Sequence, residues 1–268
     1  PKSAVADLAK QLRAEGEEGT PLSRVFRLAY TGLPAPAARI LRLLSLAPGG
    51  LIDPHTASAL AGSSVEGAHT TLDDFVALGL LHAVDSPLPQ YEVPACLHPL
   101  LTALTETQDR PAELQLARAR MLERTVRLLQ SCRAITETDS PETRQKLLGM
   151  PRALRFPNPR AAADWLGIRR PALLASARAA VADGELDTLA RRLMSQLVRA
   201  MVAHFGTKAA APDLYDVHAG PRRGAAPQPA PRAGRGPAEP RRPRRPHGAH
   251  PGGAGAIQGR AGRRTGRK

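Results

Sequence analysis

Apolar residues recur every three to four positions through most of residues 1–218, the spacing of one helix face. Val5, Leu8, Ala9 and Leu12 predict a helix over 3–15, with Ser3 as its cap and Gly16 and Gly19 beyond its end. Val25, Phe26, Leu28 and Ala29 predict a second over 22–32, stopped by Gly32. Pro34 opens a third, APAARILRLLSLAP, with Ile40, Leu43 and Leu44 as its stripe, and Pro48-Gly49-Gly50 breaks it. Asp53 and Pro54 supply a cap and a first-turn proline for a helix over 53–62. Ser64 starts the next: Val65, Ala68, Leu72, Phe75 and Val76 lie inward, Glu66 sits close to a capping-box position, and Gly79 ends it. LLHAV (80–84) and YEVPA (91–95) flank DSPLPQ and predict a short β-hairpin. HPLLTALTET (98–107) resumes as helix.

Three helices, a hairpin and a helix are the ground plan of a winged helix, a helix-turn-helix core closed by a small β wing. Leu114, Ala117, Met121, Val126 and Leu129 then mark a long helix over 111–135. Residues 136–158 are Pro-rich and polar and predict a linker or ordered loop. Two further helices, 160–183 and 185–205, are expected around Gly184, like one hairpin of a helical-repeat array. The predicted fold class is mainly α: a winged helix over 20–109, a helical hairpin or repeat-like region over 110–218, and a helix over 1–19 linking from upstream.

At Ala219 the character of the chain changes. Residues 219–268 contain no Leu, Val, Met, Phe, Tyr or Trp and a single Ile, Ile257. Such a segment cannot bury enough apolar surface to offset its ordering entropy, and disorder is predicted. It carries 13 Arg and Lys against one Glu, a net of +12, which leaves +2 of the chain's +14 for residues 1–218. Whole-chain charge therefore describes the tail. Forty-two of its 50 residues are Ala, Gly, Pro or Arg, whose codons begin with two G or C bases. A frameshifted GC-rich reading frame gives that composition. A genuine basic tail, with Arg241, Arg242, Arg244 and Arg245 as its densest cluster, would instead bind nucleic acid weakly and non-specifically. No apolar run approaches 18 residues and no secretory leader is legible, so a cytoplasmic protein with no membrane span is expected. Cys96 and Cys132 have no partners at metal-ligand spacing and read as small buried residues in a reducing compartment. Pro1 in place of Met predicts a piece of a longer protein.

The stretch TGLPAPAARILRLLSLAPGGLIDPHTASALAG, then LDDFVALGLLHAV and YEVPACLHPLLTAL, resembles the winged-helix part of NB-ARC-type signal-transduction ATPases, closest to large actinomycete transcriptional regulators. AAADWLGIRRPALLASARAAVADGELDTLARRL resembles the segment that follows there and leads into tetratricopeptide-like helices. The resemblance implies a non-enzymatic regulatory and protein-interaction segment, with an upstream ATPase domain as partner and the helical region binding a protein or a second copy. It implies no cofactor in this segment and ADP or ATP in the intact protein, where the residue matching His98 reaches the ADP phosphates and holds the closed state. The chain departs from the family at Pro99, commonly Asp, at Arg169, usually acidic, and at Ala172, usually Asn. It contains no GxxxxGK[ST] phosphate loop, so ATP hydrolysis is not expected.

His98 is thus the sharpest candidate, as a phosphate sensor in the intact protein, against a locally packed helix-starting His. The alternative function is a DNA-binding regulator acting through the winged helix or the basic tail. The candidate recognition helix, 64–78, has three acids and no Lys or Arg, a poor match to phosphates. Trp165, the single Trp, reads as core, and Arg169-Arg170 and Arg191-Arg192 as solvated helix faces. His55, His69, His82, His204 and His218 lack ligand spacing, and no metal site or catalytic constellation is expected.

Overall fold

Capping decides where the helices begin in the computed structural model, which describes residues 20–137 and 140–218. Thr20 accepts a hydrogen bond from the Ser23 amide and starts α1 (Pro21–Thr31). Pro34 precedes α2 (Ala35–Leu43), which tightens into 3-10 turns at Leu44–Leu46 and Pro48–Gly50. A two-residue strand, β1 (Leu51–Ile52), follows. The Asp53 carboxylate accepts from the Thr56 amide at 2.7 Å and starts α3 (Pro54–Ala61). Gly62 ends it at φ 75°, its amide and that of Ser63 donating to the Ser58 carbonyl. Ser64 caps α4 (Val65–Ala77) through the Gly67 amide. Strands β2 (His82–Ala83) and β3 (Tyr91–Glu92) then form the predicted hairpin, shorter than the pattern implied.

The sheet has the order β1–β3–β2, antiparallel throughout, with Ile52 opposite Tyr91 and Ala83 opposite Tyr91 on the other side. Two apolar residues between Gly50 and Asp53 carry no readable period, which is why β1 is absent from the sequence reading. Tyr91 donates its hydroxyl to Asp73 at 2.6 Å and so anchors the sheet to α4. Helix α5 (His98–Gln108) returns across the base. At its end Asp109 takes a two-pronged contact from Arg42, at 2.5 and 2.9 Å, and Arg42 also donates to the Tyr30 hydroxyl. That cluster ties α1, α2 and α5 together.

Helix α6 (Pro111–Ala134) is the central rod. Its Arg120 donates to the carbonyls of Ala59 and Leu60, two of the orphaned acceptors at the end of α3. The 136–158 stretch is more regular than expected: Ser140 caps α7 (Pro141–Gly149), and a 3-10 turn spans Arg152–Leu154. Its helix was illegible because it buries none of its residues and has no apolar stripe. Asn158 caps α8 (Pro159–Asp183), Gly184 ends it at φ 70°, and α9 (Asp187–His218) follows, with a kink at Gly206. The hairpin about Gly184 is as predicted, and the expected end of its second helix at 205 coincides with the non-helical backbone of Gly206 (φ 79°), beyond which a further helical stretch continues to His218.

The described residues are mainly helical and share one hydrophobic cluster, from Phe26 and Leu41 through Leu72 and Leu129 to Leu193 and Met201. No described helix is long and apolar enough to cross a membrane. The predicted helix over 3–15 and the predicted disordered tail lie outside the described residues.

Cys132 is fully buried, donates to the Ala162 carbonyl, and burial pushes its thiol up to about 12. Cys96 is exposed, contrary to its reading as a buried residue, because it lies in the turn before α5. We expect a thiol reagent at neutral pH to label one cysteine in the native chain and both after denaturation, with mass spectrometry placing the first label on Cys96.

Candidate functional site

The start of α3, the start of α4, the β2–β3 turn and the turn before α8 face one another around a cleft of about 780 Å³. Its walls are largely apolar: Val65, Leu88, Leu154, Phe156 and Trp165, with His55, Glu66, His69 and Arg155 among the polar lining. That size and balance suit a small ligand or an inserted side chain. Phe156 packs on Trp165 with ring centroids 5.2 Å apart, and Trp165 is 6% exposed, in keeping with its reading as core.

Beneath the cleft lies a buried ion pair. Arg169 sits on the inward stripe of α8 with Trp165, Leu166, Ala172 and Leu173. Its Nε lies 3.4 Å from the Asp53 carboxylate, and both side chains are 8% exposed. Its Nη2 donates to the Thr56 hydroxyl at 3.2 Å and the Leu51 carbonyl at 3.4 Å. One guanidinium therefore joins α8 to β1, to the α3 cap and to the first turn of α3. This corrects the solvated reading of Arg169. An Arg on an apolar helical stripe implies a buried acceptor, and that signal was available from the sequence. Arg170 is also engaged, with Asp213. Arg191 and Arg192 do lie toward solvent, beside Asp187 and Glu123 respectively.

Burial pushes the Asp53 carboxyl up, but Arg169, the Thr56 hydroxyl, His55 and the Thr56 amide together outweigh it and hold the group below its usual range. Burial lowers the His55 imidazole; Asp53 opposes this, while Arg124 and Arg169 add to it. Arg124 is itself lowered by burial and by neighbouring Arg127. Burial is thus the main reason His55 is held below its ordinary range beside a carboxylate, and the two arginines reinforce it.

His98 occupies a different place. It is exposed at the first position of α5, with Thr102 donating to its backbone carbonyl. The structure does not bring it to the cleft. His69 lies 3.7 Å from Asp73, one turn along α4, and His204 Nε2 lies 2.8 Å from the Cys132 carbonyl of α6. Among the described residues no three His, Cys, Asp or Glu converge as metal ligands. Arg241, Arg242, Arg244 and Arg245 lie outside the described residues.

No protein-family model, curated protein or solved structure matches this chain. The site therefore rests on its own geometry.

Removing one partner of a buried pair leaves a desolvated charge, a loss of about 3–5 kcal/mol. Arg169→Met is expected to lose that much in chemical denaturation. Asp53→Ser with Arg169→Met keeps an N-cap oxygen and removes both charges, and should recover more than half of the loss. Stability should also fall in acid. His55 is lowered, so its contribution is complete above its ordinary 6.5 and is lost as pH falls through its folded value. Asp53 is lowered too, so its contribution disappears below its ordinary 3.8 as pH falls through its folded value. Thermal midpoints should be level above about pH 7 and decline below it, and His55→Asn should remove the first part of the decline.

Proposed function

We propose that this chain is a non-enzymatic regulatory and protein-interaction module: a winged helix docked on a helical hairpin region, as in NB-ARC-type signal-transduction ATPases that control transcription. The element order α2–β1–α3–α4–β2–β3, with β3 central in the sheet, fits a winged helix. The fit adds to the sequence resemblance and does not depend on it.

One observation separates interaction from DNA reading. Residues 43–109 hold eight Asp and Glu and no Lys or Arg. The outward residues of α4 include Glu66, Thr70, Asp73 and Asp74, and Asp85 and Glu92 are exposed around the wing. The face that would enter a groove is thus acidic, and each phosphate approaching it meets like charge. A protein partner with complementary surface suits that face. The exposed His98 at the edge of the same unit supports docking against a nucleotide domain, where an imidazole can donate to a diphosphate. In this reading loss of that contact frees the module to engage a protein partner or a second copy.

The test is a calorimetric titration of the 268-residue chain with an ADP-loaded ATPase domain of that family. Binding is expected, and His98→Ala should weaken it about ten- to hundredfold, the worth of a charge-assisted hydrogen bond. No binding overturns the reading. So does sequence-selective duplex binding that persists after deletion of 219–268, which would return α4 to a recognition role.

A further inference from the structure

Hydrogen-bond accounting around the Asp53–Arg169 pair leaves three polar atoms over. Trp165 Nε1, Arg169 Nη1 and His55 Nδ1 are all buried and have no hydrogen-bond partner in the protein. Buried polar groups are seldom left so, because each costs about 1–3 kcal/mol without a partner. The three residues that carry them line one small cavity of about 20 Å³, together with Asp53, Thr56, Arg124, Thr125 and Ser176. A buried water needs about 10–15 Å³ and two to four polar partners. The space suits one water and little more.

The chemistry of the three leftover atoms is complementary. Trp165 Nε1 and Arg169 Nη1 can only donate. A neutral His55 with its proton on Nε2 offers a lone pair at Nδ1. We infer that Asp53, His55, Trp165 and Arg169 form a binding site for a single water molecule at the seam of α3, α6 and α8. The water accepts from Trp165 and Arg169, donates to His55 Nδ1, and has Asp53 as its second acceptor. That set satisfies all three leftover atoms and uses four hydrogen bonds, the full capacity of a water.

Other small occupants fit less well. A metal cation would face Arg124 and Arg169. A monatomic anion would find donors but also the Asp53 carboxylate on the same wall, and it is larger than the water the space admits. Thr125 and Ser176 cannot replace the water as donors. Their hydroxyls are already committed to the Met121 and Ala172 carbonyls of their own helices. Thr56 Oγ1 accepts from Arg169 Nη2, and its hydroxyl proton is committed to the Asp53 carboxylate.

Trp165 is the single Trp of the chain, so its indole N–H gives one signal in a nitrogen-edited NMR spectrum of the 268-residue protein. The expected result is a dipolar cross-peak from that N–H to a long-lived water, with slow exchange of the indole proton against solvent. The same resonance should not move when sodium chloride replaces sodium gluconate at fixed ionic strength. His55→Asn, whose side-chain oxygen can stand where Nδ1 stands, should keep the cross-peak. His55→Leu should weaken it. A missing cross-peak in the wild-type protein overturns the inference. A chloride-dependent, saturable shift also overturns it and makes the site an anion site. Should His55→Leu fail to fold, the wild-type spectra still decide.

Discussion

A carboxylate and a guanidinium withdrawn from water in the middle of a helical protein constrain everything around them. Burying either Asp53 or Arg169 without the other is strongly unfavourable, since the desolvation of an isolated buried ion exceeds what packing nearby can return. The pair therefore fixes where α8 lies against α3, and Arg169's contact with the Leu51 carbonyl fixes β1 as well. Asp53 meets two demands at once, since its other oxygen caps α3. Such a double role leaves little freedom: a shift of α8 that breaks the pair exposes a helix cap to an uncompensated charge. The cleft above it inherits this rigidity, because His55 and Trp165 are held by the elements that the pair joins.

Electrostatic character divides along the chain. The segment from Leu43 through Asp109 is wholly acidic in its formal charges, whereas α6 brings Arg118, Arg120, Arg124, Arg127 and Arg133 against Glu113 and Glu123. Two of those arginines turn toward the acidic half and serve structure: Arg120 on the α3 carbonyls and Arg124 beside the Asp53 cavity. The positive charge of the helical half is partly spent on holding the acidic half in place. What remains outward on α4 and the wing is negative, and this gives the regulatory reading its physical basis.

The sequence made the helices legible wherever a cap coincided with an apolar stripe. Asp53-Pro54, Ser64 and Gly184 mark their boundaries because a side-chain oxygen, a missing amide or a positive φ is needed at those points. Three features were not legible, each for a different reason. Strand β1 spans a single period of two residues, too short for alternation to show. Helix α7 buries none of its residues and its two leucines form no stripe, so only its Ser140 cap speaks for it. Arg169 was misread because charge was weighed before position: its neighbours at three and four residues on α8 are buried, and the stripe should have decided. The cleft itself is assembled from segments about 100 residues apart, and no local pattern reports such a meeting.

The Arg120 fork on the last carbonyls of α3 pins α6 at a point before its middle. Arg120 stands 14 residues before Ala134, about 21 Å along a helix rising 1.5 Å per residue. A tilt of about 5° about that point displaces the far end by about 2 Å, given that rise. Near that end sit Cys132 and its contacts with Ala162 on α8 and His204 on α9. The contacts of Cys132 with α8 and α9 thus lie at the end of α6 where a change of helix angle at Arg120 has its longest reach.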